Sequence, residues 1–340
     1  MIDGGFEDTY KAAQPSSEYS QVVFSQPGMV ELQTKPNSAV TIGTKAYVRN
    51  QLSLISPGTE AAQLHVRTGA HKPISFPISP RAYCIGIVED SANPEDKPTR
   101  VVYRDHHASR NLDPLDLNRC VAVPASLSDT ETLLCTQAIP GAYALARAGH
   151  QNGNNIAVIG LGAVGHLLVR LLIPQRPNMI CGIDPHPLRR TSLDDIKFVA
   201  TTENSSKLKK NRFDCVFVVC SDPSALTQAL RVVAPGGTVI QLAAPHSAIL
   251  IDIANMVFRK NVHLQGAHDV GIDLGLTGYS NRIHLLTDLL NLVAAGELDL
   301  SRIASTTFPP FNPAQAYNEL ISSKDALHSA FFDWTAGTLT

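Results

Sequence analysis

The sequence has a single Trp, only 6% aromatic residues, and no surplus of charge of either sign, with 28 Lys plus Arg against 30 Asp plus Glu. A net charge of −2 gives no clustered basic surface for a nucleic-acid backbone or an anionic membrane, so the expected partner is a small molecule. The six cysteines stand singly, without a C-x-x-C pair and mostly inside apolar runs. They read as small buried hydrophobes in a reducing compartment, not as a disulfide framework. A long uninterrupted apolar run is missing too. The longest, residues 156–173, is broken by Gly160, Gly162, Gly165, His166 and Arg170, which argues against a membrane span. Residues 1–10 carry Asp3, Glu7 and Asp8 with neither a basic start nor an apolar core, so no secretory signal is expected and the cytoplasm is the default location.

What is present suffices for two domains: 340 residues, 44% of them hydrophobic, at about 150 residues per domain. Residues 1–18, polar and without apolar periodicity, read as a mobile leader. From Gln21 to Pro124, short β-type runs at 22–24, 45–50, 83–89, 100–103 and 120–123 are separated by Pro and Gly. Residues 131–148 have helical spacing, with Ser128 or Asp129 to cap them. Beyond Asn155, strands and helices alternate, the pattern of a parallel sheet with crossover helices. Strands are expected at 155–159, 179–183, 214–220, 238–242 and 262–266, and helices at 163–172, 224–233, 251–259, 283–295 and 313–322.

The strongest motif is Gly160-Leu161-Gly162-Ala163-Val164-Gly165, directly after the apolar run Ile156-Ala157-Val158-Ile159. Glycines there permit a tight turn, close approach of the backbone to a pyrophosphate, and close helix-to-strand packing, while the helix N-terminus offers unpaired N–H donors. Asp184 ends the next apolar run, 19 residues after Gly165. A carboxylate there accepts from the ribose hydroxyls and repels a 2′-phosphate, favouring NAD(H). Arg189 and Arg190 keep NADP(H) open, because Pro185 and Pro187 can fold the loop back so that either reaches a 2′-phosphate. A glycine turn beside a surface Asp is the reading that asks for no cofactor.

With Pro140-Gly141-Ala142-Tyr143-Ala144-Leu145 before this motif, Ala234-Pro235-Gly236-Gly237-Thr238 after it and Ala314-Gln315-Ala316-Tyr317 near the end, the chain resembles the medium-chain dehydrogenase/reductase superfamily, the zinc alcohol dehydrogenase relatives. The resemblance implies an α/β fold, a Rossmann doubly wound parallel sheet (137–276) inserted into a GroES-like, mostly β catalytic domain (19–136 plus 277–340), with the active site between them. It also implies a homodimer paired through the edge strand at 262–267. Zinc members carry a Cys in the first site turn and a G-H-E triplet in the second, because zinc needs three such ligands and one open position. Here the turns read Ile55-Ser56-Pro57-Gly58-Thr59-Glu60 and Arg81-Ala82-Tyr83-Cys84, and the four-cysteine structural lobe is missing. No metal ligand set is therefore expected. The S-x-G-T-E turn is similar to the zinc-lacking branch that includes bacteriochlorophyllide hydroxyethyl dehydrogenase.

Without zinc, hydride transfer at an alcohol carbon needs a proton acceptor and a stabiliser for charge on oxygen. The resemblance brings forward Thr59, Glu60, Tyr83, His107 and His268 for the cleft. Glu60 reads as a general base or a binder of a substrate hydroxyl or amine, against a carboxylate structuring its own turn. Tyr83 reads as a donor to the carbonyl oxygen, against an aromatic filling the space left by zinc. His107, preferred over its neighbour His106, reads as a proton relay, against a solvent-facing loop residue. His268, next to Asp269, falls at a strand's carboxyl end, where ligands gather in open parallel sheets. The expected activity is zinc-independent, NAD-dependent oxidoreduction of a secondary alcohol or ketone, such as a cyclitol, sugar or specialised metabolite. The alternatives are NAD(P)H-dependent reduction of an activated C=C bond and a non-catalytic NAD(H)-binding sensor.

Overall fold

The computed structural model describes residues 18–36, 47–66, 74–91, 95, 97–112, 120–194, 196, 199–245, 247–322 and 329–336. Most of the expected leader lies outside them, and its last residue, Glu18, already opens the first strand.

The chain begins with β1 (Glu18–Gln26), β2 (Met29–Pro36), β3 (Tyr47–Ile55) and the short helix α1 (Pro57–Leu64). Next come β4 (Arg81–Asp90), β5 (Arg100–His106), β6 (Arg110–Leu112) and β7 (Cys120–Ala122). The long helix α2 (Asp129–Ala148) leads into β8 (Asn155–Ile159), α3 (Ala163–Leu172), β9 (Met179–Ile183), α4 (Pro187–Thr191) and β10 (Val199–Thr202). Then follow β11 (Phe213–Val218), α5 (Pro223–Val232), β12 (Val233–Gln241), β13 (His263–Gly266) and α6 (Val270–Asp273). The described chain closes with α7 (Arg282–Ala294), β14 (Ser305–Phe308), α8 (Pro313–Ser322) and β15 (Ser329–Asp333).

Six strands form one parallel sheet in the order β10-β9-β8-β11-β12-β13. Their runs are apolar on both faces because both faces are covered. Ile156, Val158, Ile180, Phe217 and Ile240 face a core shared with α2, α3 and α7, whereas Ala157, Ile159, Ile183, Val216 and Val239 face one shared with α5. This doubly wound sheet reverses its strand order between β8 and β11, and the crevice at their carboxyl ends is where such sheets take ligands.

The second large sheet runs β14-β15-β3-β4-β5-β7, with β6 beside β3. Its pairs are antiparallel except β14 with β15. The late strands therefore return to the early ones, Ala330 lying opposite Ile55 and Phe332 opposite Ser53. Fold class and architecture thus follow the expectation drawn from the resemblance.

Several details differ. Residues 251–259, expected as an α-helix, contain a π-helical turn at Ala254–Phe258. The short helix α1 and the strands β2, β10, β14 and β15 were not expected. No described helix is long and apolar enough to cross a membrane.

The entry to α2 is capped as its sequence suggests. Ser128 accepts from the Glu131 N–H, and Glu131 reaches back to the Ser128 N–H at 2.9 Å, a reciprocal capping box. Ser128→Ala is expected to cost about 1 kcal/mol. A lower denaturant midpoint with unchanged slope checks it.

Candidate active site

The glycine loop lies between β8 and α3, at the reversal of strand order. Gly160 has φ +99°, and a Cβ there would stand 2.8 Å from the Cys220 Cβ. A Cβ on Gly165 would stand 2.0 Å from the Gly160 carbonyl oxygen, so only glycine lets the helix sit this close to the turn. Gly162, the N-cap of α3, faces open space. The next N–H groups, on Ala163, Val164 and Gly165, start the helix and have no acceptor within it. An open backbone cradle at a helix N-terminus fits a dinucleotide pyrophosphate.

Asp184 follows β9 and is only 3% exposed. Its Oδ2 accepts from the Leu161 N–H at 2.8 Å and its Oδ1 from the His186 N–H at 2.9 Å. Pro185 and Pro187 do fold the segment back: Arg190 donates to the carbonyls of Asp184 and Pro185, and Arg189 Nη1 lies 3.5 Å from Asp184 Oδ2. His166, buried in α3, holds the same segment with Nε2 2.8 Å from the Arg189 carbonyl. One carboxylate and two guanidinium groups thus share the place where an adenosine ribose would lie.

A second cluster forms between the two sheets. Tyr83 on β4 lies directly opposite Arg104 on β5, with the Arg104 guanidinium carbon 5.9 Å from the Tyr83 ring centroid. The ring packs on the core shared with α2 and α7, and the Arg282 guanidinium and Asp269 carboxylate lie near its phenol. Burial pushes the phenol above its ordinary pKa, with Arg282 and Arg104 opposing. Arg282 donates to Asp269 Oδ2 at 2.5 Å. Burial pushes the Asp269 carboxyl up, but that guanidinium holds it below the usual carboxylate range overall. His268 sits at the rim, 76% exposed at its side chain, its Nδ1 3.3 Å from Asp269 Oδ1 and 3.2 Å from the Val270 N–H.

Glu60 and His107, expected to face the cleft, meet each other elsewhere. They are 1% and 0% exposed, with His107 Nε2 3.2 Å from Glu60 Oε2. Glu60 also accepts from the Ser56 N–H at 2.6 Å and from the Tyr317 hydroxyl on α8. His107 Nδ1 lies 2.7 Å from the Ser53 hydroxyl, which accepts from the Trp334 indole. This sealed chain ties β3, α1, α8 and the end of the described chain together. Thr59 stays exposed on α1. Arg104 and Arg282 were not anticipated, because neither a cross-strand register nor the approach of α7 to β4 is visible in local spacing.

The family resemblance raises the question of zinc. Ala82 has no donor atom, and the Cys84 thiol is buried, pushed up by that burial, and donates to the His106 carbonyl. These residues do not fit a zinc site, and among the described residues no group of three His, Cys, Asp or Glu could hold a metal.

No family model matches the chain. Among curated proteins it is 27% identical over 128 residues to L-threonine 3-dehydrogenase of Caldanaerobacter subterraneus, covering 35% of this chain and 37% of that one. It is 25% identical over 185 residues to sorbitol dehydrogenase of Bacillus subtilis, covering 50% and 52%. The chain thus spans about half or less of the curated relatives it matches. Among solved structures, acetophenone reductase of Geotrichum candidum in complex with NAD superposes with a TM-score of 0.77 at 14% identity, covering 96% of this chain and 100% of that one. The fold is that of the medium-chain dehydrogenases/reductases, as the motif resemblance implied at the level of the superfamily.

Two outcomes are expected. Gly165→Ala forces α3 off β8, lowering stability by about 2 kcal/mol and abolishing NADH binding in a fluorescence titration. Glu60→Gln replaces one carboxylate oxygen of a sealed network reaching Ser56, His107 and Tyr317 and costs about 1–3 kcal/mol, while the folded fraction keeps its turnover number. Lost turnover at undiminished stability would instead return Glu60 to the chemistry.

Proposed function

We propose that this chain is a zinc-independent oxidoreductase that transfers a hydride between NAD(H) and a secondary alcohol or ketone of the cyclitol, sugar or specialised-metabolite class. The observation that carries it is the buried Tyr83 phenol with the Arg282–Asp269 pair beside it, Asp269 lying just beyond the carboxyl end of β13 in the parallel sheet.

The N–H groups opening α3 hold the pyrophosphate of the dinucleotide, and Asp184 takes the ribose hydroxyls. The buried Asp184 carboxylate supports NAD(H), although Arg189 and Arg190 beside it leave NADP(H) some affinity. When bound, the nicotinamide supplies the hydride acceptor or donor. Tyr83, kept protonated by burial, donates from Oη to the ketone oxygen as charge develops there, and takes the proton back in the alcohol direction. Arg282, fixed by Asp269, holds positive charge beside that oxygen. His268 passes the proton between the cleft and water, its Nδ1 set by the Val270 N–H.

Residues 19–136 with 277–340 form the substrate unit and 137–276 the nucleotide unit. Two copies pair through the exposed edge strand β13, where Leu264 is 39% exposed, and the protein works in the cytoplasm. The second reading is reduction of an activated C=C bond, which needs a proton donor at the α-carbon but no base for an alcohol.

Tyr83→Phe is expected to lower kcat for ketone reduction about 100-fold or more with KM little changed. Because the acid must stay protonated and burial raises its pKa above 10.0, wild-type reduction should run flat through neutral pH and decline only as pH climbs past that value. Full ketone activity in Tyr83→Phe contradicts the assignment. Enone reduction surviving where alcohol oxidation is lost supports hydride exchange with ketones at Tyr83 and sets the C=C reading apart.

A further inference from the structure

Arg104 is the cation of the cleft that the proposed chemistry leaves unused. It stands opposite Tyr83 in the β4–β5 register, so both side chains leave the same face of the sheet. It is exposed, and its recorded neighbour is the Tyr83 ring, 5.9 Å from centroid to guanidinium carbon. Among the described residues it makes no ion pair. Asp269, whose carboxyl also feels the Arg104 charge, is already paired with Arg282. Asp105, next along β5, leaves the opposite face of the strand and pairs with His106. Arg282 is paired with both Asp269 and Asp273, whereas Arg104 has no carboxylate within ion-pair distance among the described residues, so its charge is the one left to match.

We propose that the substrate carries a carboxylate close to the carbon that exchanges hydride, and that Arg104 seats this carboxylate while Tyr83 addresses the neighbouring oxygen. A guanidinium presents parallel N–H donors that fit a carboxylate's two oxygens, fixing orientation as well as charge. Stacked on a phenol ring, the side chain is preoriented for this. This rests on hydride exchange at the same cleft.

The test compares acids with neutral twins in NAD-linked turnover by the full chain: gluconate with sorbitol, 3-hydroxybutyrate with its methyl ester, and lactate with lactamide. The expected result is that at least one acid exceeds its twin in kcat/KM by about 100-fold. Arg104→Gln should erase that preference, mostly through KM, while changing the neutral twin's kcat/KM little, and Arg104→Lys should keep part of it. Equal or better turnover of the neutral twins, or an acid kcat/KM unchanged in Arg104→Gln, overturns the carboxylate proposal and leaves hydride transfer standing. No turnover of any acid or neutral alcohol overturns both.

Discussion

The approach of the Gly165 backbone to the Gly160 carbonyl is the constraint on which the nucleotide half of the molecule depends. With no room for a side chain there, α3 lies directly against β8, and its N-terminus is aimed across the crevice where the strand order reverses. Two further ties lock the loop. Asp184 accepts the Leu161 N–H, and His166 holds the Arg189 carbonyl. Backbone donors, the Asp184 carboxylate and the arginines of α4 are therefore set by one turn and its neighbours. Small changes at that turn move all of them together.

The other half has a different anchor. A carboxylate and an imidazole lie together out of water, joined to Ser53, Trp334 and Tyr317. Burying such groups is costly unless each finds partners, and here every one does. The chain of contacts fastens α8 and the returning strand β15 onto β3, so the sheet that carries Tyr83 and Arg104 is completed by residues far away in sequence. The face that carries Tyr83 and Arg104 is thus braced from the opposite side of the sheet.

Much of the nucleotide fold was legible because its signals are local. β8 and β9 fall at the expected positions, since fully buried parallel strands read as unbroken apolar runs, and the glycine spacing marks the turn between sheet and helix. β10 is a half-buried edge of four residues, and β15 is held by β3 and β14 by β15, both across long sequence separations, so no local pattern announces them. The same difference divides the site. Tyr83 and Asp184 stand at the ends of readable runs. Glu60 turns inward because Pro57 starts a short helix, and His107 turns inward in the bend that follows the end of β5 at His106. Arg104 and Arg282 reach the cleft through cross-strand register and helix docking, which spacing alone does not reveal.

The most direct measurement of the central claim is nicotinamide absorbance during incubation of the protein with NAD and a panel of secondary alcohols, with and without a strong chelator. NADH formation at the same rate in both conditions is the predicted result, because in this account Tyr83 and Arg282 handle the proton and the charge on oxygen without a metal. Turnover that the chelator abolishes and added zinc restores would contradict it.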